Sequence, residues 1–303
     1  MPDEKRSIAR LEKDTPPRKL GVTDLFAVGY GDLGSSIFYA LGITTFFALG
    51  AAPISLVLAG IVFVCTSLTY AEMTAAIPAS GGSASFARIA FNDFVSFIAG
   101  WGLLLDFIVT IAISIFVILP YLSFFYGGPI HVSVHLAISV GIIGILYIVN
   151  YFGVQHSTRI SIFLTGIALF TQVLILILAL FGGVDLVKVF EQMKIGVQAN
   201  WSPTWDNFLK GTAMAMVAYT GIESIAALGS ETKRPIKTLP RAVMIVMSVL
   251  VTMYLAISVI GLSVMSPQEL GTKYVDNPIL GIVNNLPFGS AALVPWVGFL
   301  AAG

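Results

Sequence analysis

Charge is scarce in this chain. Of its 303 residues only 11 % are Asp, Glu, Lys or Arg, where a soluble domain carries roughly 25 %. The 16 basic and 16 acidic residues cancel, so no polyanionic partner, nucleic acid included, is implied. Cysteine is nearly absent. Cys65 stands alone inside an apolar run, which excludes an intrachain disulfide and predicts a small core residue. The three histidines, His131, His135 and His156, sit near the ends of apolar runs at no metal-ligand spacing, so neither a metal site nor a cofactor is expected. No G-x-x-x-x-G-K-[ST] phosphate loop is present, which argues against transport driven by this chain's own ATP hydrolysis. No nucleophile–base constellation points to an enzyme. The first 19 residues are charged and lack an apolar core, unlike a cleaved signal peptide.

What fills the chain is apolar. Hydrophobic residues make up 57 % and the mean hydropathy is +0.92. The apolar runs are each long enough to cross a bilayer as a helix. The alternating segments of about ten residues that make a membrane barrel are missing. An all-α integral membrane protein follows, multi-pass and bedded in lipid. Seven full spans are predicted near 22–49, 53–78, 94–126, 130–151, 159–183, 208–229 and 240–264, with an eighth begun near 286. A chain ending within that eighth span reads as a piece of a longer protein.

The basic residues are spread unevenly. With the N-terminus inside, the cytoplasmic segments hold Lys5, Arg6, Arg10, Lys13, Arg18, Lys19, Arg88, Arg159, Lys233, Arg234, Lys237 and Arg241. The opposite side holds Lys188, Lys194, Lys210 and Lys273. This bias predicts a cytoplasmic N-terminus. The expected organisation is a tail over 1–21, a first five-helix unit over 22–183, an outer connection over 184–207, and a partial second unit over 208–303. That connection carries Trp201 and Trp205, read as interfacial anchors.

Two spans are interrupted. In the first, Asp32 lies within Gly31-Asp32-Leu33-Gly34-Ser35-Ser36. A carboxylate at the bilayer midplane costs at least ~2.5 kcal/mol, and the flanking glycines loosen the helix at that depth. In the sixth, Tyr219-Thr220-Gly221-Ile222-Glu223 combines a break with another acid. Five spans separate the two, so the second lies inverted relative to the first, the pattern of many secondary transporters. The N–H groups of Ser35, Ser36 and Ile37 are expected to be free donors for an anion. The carbonyls near Ala218 and Tyr219 are expected to be free acceptors for a cation or an ammonium group. Close helix packing by small residues is the competing reading of these glycines.

Four motifs, in order, resemble the amino acid–polyamine–organocation permeases. They are Leu68-Thr69-Tyr70-Ala71-Glu72-Met73 with Pro78-Ala79-Ser80-Gly81-Gly82-Ser83, then Ala99-Gly100-Trp101-Gly102-Leu103-Leu104-Leu105-Asp106. The third is Tyr219-Thr220-Gly221-Ile222-Glu223-Ser224, and the fourth Glu231-Thr232-Lys233-Arg234-Pro235 with Leu239-Pro240-Arg241-Ala242. The resemblance covers nearly all of 22–303 and implies a LeuT-like fold of two inverted five-helix repeats with discontinuous first and sixth helices. Two departures stand out. Span five carries Ala168 near the position where many proton-coupled members have a lysine. The first break, Tyr30-Gly31-Asp32-Leu33-Gly34-Ser35-Ser36, is closer to the potassium-uptake branches, while the motifs of span six favour amino acids.

Asp32 and Asp106 both lie about ten to twelve residues into spans that start on the same side, hence ~15–18 Å deep. Two carboxylates at one depth suit a proton- or cation-coupled carrier. Asp32 has two plainer alternatives, an N-cap accepting from the Ser35 N–H and a partner for the Tyr30 or Tyr39 hydroxyl. Glu72 is read as a gate or interfacial residue, and Gly81-Gly82 as a tight turn onto a re-entrant segment. The expected function is proton-coupled symport of an amino acid or related organocation across the cell membrane, alternatively potassium–proton symport. The substrate site is placed at Gly31, Asp32, Gly34, Ser35, Ser36, Ile37, Ala218, Tyr219, Thr220 and Gly221. Coupling to a proton, or to potassium or sodium, is placed at Asp32, Asp106 and Glu223. A small molecule and the bilayer are the expected partners, with oligomeric state left open.

Overall fold

The computed structural model describes residues 18–126, 131–151, 154–286 and 294–297. The described chain is helical, and its β contacts are the isolated bridges Leu20–Thr232 and Ser80–Leu228. Most of the eighth span predicted from 286, and most of the N-terminal tail, lie outside the described residues.

The first span is two helices, α1 (Val22–Ser35) and α2 (Ile37–Ala48), meeting at Ser36. Asp24 Oδ2 accepts the Gly21 N–H at 2.7 Å, satisfying one of the amides orphaned at the start of α1. The chain then turns sharply through Leu49–Ala51, with Leu49 at φ 45°, into α3 (Ala52–Ala76). Gly81 and Gly82, at φ 101° and 50°, take the left-handed backbone that L residues avoid. They turn the chain into the short α4 (Ser83–Ala90), which packs on the long α5 (Asp93–Tyr126). The tight turn predicted at this pair is what forms. α6 (Val132–Tyr151) and α7 (Val154–Gly182) complete the first half, and α8 (Leu186–Gln192) lies in the connection that follows.

The span predicted at 208–229 contains no long helix. It is split into α9 (Trp205–Ala215), a 3-10 turn over Met216–Tyr219, an extended Thr220, Gly221 at φ 123°, and α10 (Glu223–Ala227). α11 (Pro235–Val264) follows and packs along both α3 and α1, while α12 (Pro267–Gly271) and α13 (Pro278–Asn284) are short.

Close approach explains several glycines. A Cβ at Gly211 of α9 would lie 2.6 Å from Ala48 Cβ, and one at Gly42 of α2 would lie 2.0 Å from the Val275 carbonyl oxygen. The main core runs through α1, α2, α3, the end of α5, α7 and α11, with Tyr30, Tyr121 and Tyr254 among its largest fully buried side chains. On α5, α6 and α7 much of the apolar surface faces outward, including Phe97, Trp101, Ile108, Val140, Tyr147 and Phe163. None of the apolar stretch Val132–Val149 is buried in the described chain. Exposed apolar helices of this length belong in lipid. Cys65 corrects the sequence reading, since it is exposed beside Ile61 and Val62 on the outer face of α3. Facing lipid and facing a core select the same small apolar residue, so hydropathy alone does not separate them.

Candidate functional site

The two interruptions meet. Gly221, with no Cβ, sits directly against the Asp32 side chain: a Cβ built there would lie 2.8 Å from Asp32 Oδ2 and 2.9 Å from its carboxyl carbon. Its φ of 123° is a second reason that only glycine serves. Gly221 thus lets the backbone of the sixth span come into contact with the carboxylate of the first.

The two breaks differ in kind. At the first, the chain stays helical in its dihedrals, with Ser36 at φ −61° and ψ −21°. Its N–H donates to the Leu33 carbonyl at 3.2 Å, so the free Ser36 donor expected from the sequence is already engaged. The Leu33 carbonyl, left without its usual i+4 partner by the break, also accepts the Tyr254 hydroxyl from α11. The Ser36 hydroxyl is paired with Tyr39 Oη at 3.0 Å, and Ile37 is fully buried. At the second break the backbone unwinds. Thr220 Oγ1 donates to the Val217 carbonyl at 3.1 Å. Among the described residues no hydrogen bond reaches the carbonyls of the buried Ala218 and Tyr219. A buried carbonyl of this kind can accept from an N–H donor or a cation.

Asp32 is neither an N-cap nor a partner of the tyrosines. It lies inside α1, and its backbone carbonyl accepts the Ser35 hydroxyl at 2.8 Å. The Tyr30 hydroxyl donates instead to Gln172 Oε1 at 2.5 Å, and the Tyr39 hydroxyl pairs with Ser36. The charge of Asp106 acts on both Asp32 and Glu223, and that of Asp32 on Glu223. Asp32, Asp106 and Glu223, on α1, α5 and α10, are thus near enough to feel one another's charge. The ion pairs among the described residues, Arg88–Asp93 and Lys210–Asp206, lie elsewhere.

Beside Asp32 opens a cavity of about 520 Å³ between α1, α2, α5, α6 and α7. Of the predicted site residues, Gly31, Asp32, Gly34 and Ser35 line it, and those of the sixth span do not. Its polar wall comes from Asp32, Ser35, Tyr39, Thr110, Ser114 and Thr165, with Ala168 also facing it. The hydroxyls on α5 and α7 were missed in the sequence. Their signal is there: Thr110 and Ser114, and Ser161 and Thr165, recur at helical spacing within otherwise apolar spans. Thr165 also ties α7 to α1, its hydroxyl donating to the Ala27 carbonyl at 3.1 Å. Glu72, read as a gate or an interfacial residue, is exposed on α3.

A family model described as amino acid permease matches residues 20–303. An uncharacterized transporter of Mycobacterium tuberculosis is 28 % identical over 255 residues, covering 84 % of this chain and 54 % of the relative. A branched-chain amino acid permease of Bacillus subtilis is 25 % identical, with 86 % of this chain and 58 % of the relative covered. The vacuolar cationic amino acid transporter 4 of Arabidopsis thaliana is 25 % identical, with shares of 98 % and 51 %. The chain thus spans about half the length of the curated relatives it matches.

Proposed function

The chain belongs to the amino acid permease family, and from that premise we propose that the protein is a proton-coupled symporter of an amino acid or related organic cation. In this reading it lies in the cytoplasmic membrane with its N-terminus inside. One observation carries the substrate class: the Asp32 carboxylate is packed against the Gly221 break, and just before it the Ala218 and Tyr219 carbonyls have no partner among the described residues. A carboxylate and open carbonyls together recognise an ammonium group by charge and by accepting its N–H bonds. Relatives named for branched-chain and for cationic amino acids support a substrate that bears one. Asp32 then holds the amino group or the coupling proton, and Asp106 and Glu223 share the positive charge.

Potassium–proton symport is the second reading. The Asp32 motif favours it, as do the oxygens that line the cavity, because carboxylate, hydroxyl and carbonyl oxygens are also the ligands of a bare cation. The full-length protein in liposomes, given labelled rubidium or a mixture of labelled amino acids with and without an inward proton gradient, separates the two. Gradient-dependent amino acid uptake without rubidium flux is expected. Rubidium uptake without amino acid flux would overturn the first reading in favour of the second.

A further inference from the structure

Tyr30 ties the lining of the cavity to the fifth span. It is among the residues that line the cavity with Gly31 and Asp32, and its ring is packed away to 1 % exposure behind that lining. It is stacked on Phe26 at 5.5 Å and pressed against Gly34, where an added Cβ would come within 2.5 Å of the ring. Its hydroxyl leads away to the Gln172 side chain of α7 at 2.5 Å.

Gln172 is 1 % exposed, and its Nε2 has no partner among the described residues. Turning the amide over changes which atom bonds Tyr30 but still leaves the other unpaired. A buried polar group without a partner is unfavourable by about 1–3 kcal/mol. A leucine or methionine of similar size would avoid that. The amide is therefore a poor choice for packing, and its one satisfied contact is the tyrosine.

We propose that Gln172 is a positioning residue of the Asp32 site: by holding the Tyr30 hydroxyl it fixes the phenol ring as a rigid wall and so sets how large a group enters beside Asp32. Its role in substrate choice rests on the proposed transport function; its hold on the ring does not. Without Gln172 the hydroxyl is left unpaired, and the ring samples positions that widen the cavity. Thr165, two turns earlier on α7, fixes the same stretch of α1 at its backbone, so losing Gln172 frees the ring without releasing the helix.

Thiol labelling tests this without transport. In a background with every cysteine of the full-length protein replaced, Cys65→Ser among them, Ser114→Cys places one thiol in the lining of the cavity, to be reacted with N-ethylmaleimide in detergent. Gln172→Leu is expected to speed labelling by roughly 2- to 10-fold, the range of one net hydrogen bond. Tyr30→Phe should do the same, and the double variant no more than either. In liposomes the same substitutions should raise KM for amino acid uptake with Vmax held within about twofold, a split that general misfolding does not produce. Gln172→Met replaces Gln172→Leu if the latter folds poorly. Labelling unchanged by Gln172→Leu, or effects of the two substitutions that multiply, would overturn the assignment. Absence of amino acid uptake by the parent protein would overturn the transport reading alone, with labelling still deciding the role of Gln172.

Discussion

The Asp32 carboxylate lies against the Cα of Gly221, closely enough that a single added methyl would meet it at 2.8 Å. Gly221→Ala therefore suffers twice, from the strain of φ 123° in an L residue, about 1–3 kcal/mol, and from collision with Asp32. Uptake by this variant should fall at least ~10-fold, with a lower melting temperature in detergent. Wild-type values of both would show that the contact between the two breaks is dispensable.

Asp32→Asn keeps the shape of the side chain and removes its charge. Gradient-driven uptake should drop by roughly 100-fold, the size of one charge-assisted contact of about 3 kcal/mol. The variant should still elute as a single folded species. If it still concentrates substrate, Asp32 serves only to pack against Gly221.

The Tyr254 hydroxyl donates to the Leu33 carbonyl, which the first break deprives of its i+4 bond and leaves with the Ser36 N–H. Tyr254→Phe should destabilise the protein by about 1–3 kcal/mol. Each kcal/mol corresponds to a fall of about 2–4 °C in melting temperature for chains somewhat smaller than this. Thermal unfolding in detergent, with Tyr147→Phe on the exposed face of α6 as the control, checks it; equal melting points for the two variants would remove this account of how the first break is held.

Two glycines in helices should behave in opposite ways. Gly211→Ala drives a methyl into Ala48 at 2.6 Å and should destabilise by about 1–3 kcal/mol. Gly141→Ala meets nothing within 4 Å and improves helix propensity by up to ~1 kcal/mol. Melting curves of the pair should move apart, and a matching fall in both would contradict the crossing of α2 and α9 described above.

Much of this molecule was legible in its residues. Scarce charge and long apolar runs marked a membrane protein, and local glycine chemistry marked both breaks, since backbone freedom is a property of the residue itself. The unwound Thr220–Gly221 segment formed where it was expected. The first break was overestimated, because Gly31 and Gly34 permit an unwound turn without requiring one, and Tyr254 supplies a partner that lets the helix bend only at Ser36.

The sequence by itself determined the class of the protein, its family motifs and the presence of acids within apolar runs, because hydropathy, periodicity and motifs are local quantities. Only the tertiary structure decided which partner each group meets. It set Asp32 on Gly221 rather than on a tyrosine, sent the Tyr30 hydroxyl to Gln172 and turned Cys65 outward. Lipid and core ask for the same apolar residues, and contacts between positions 142 or 189 residues apart depend on how whole helices cross, which no local pattern encodes.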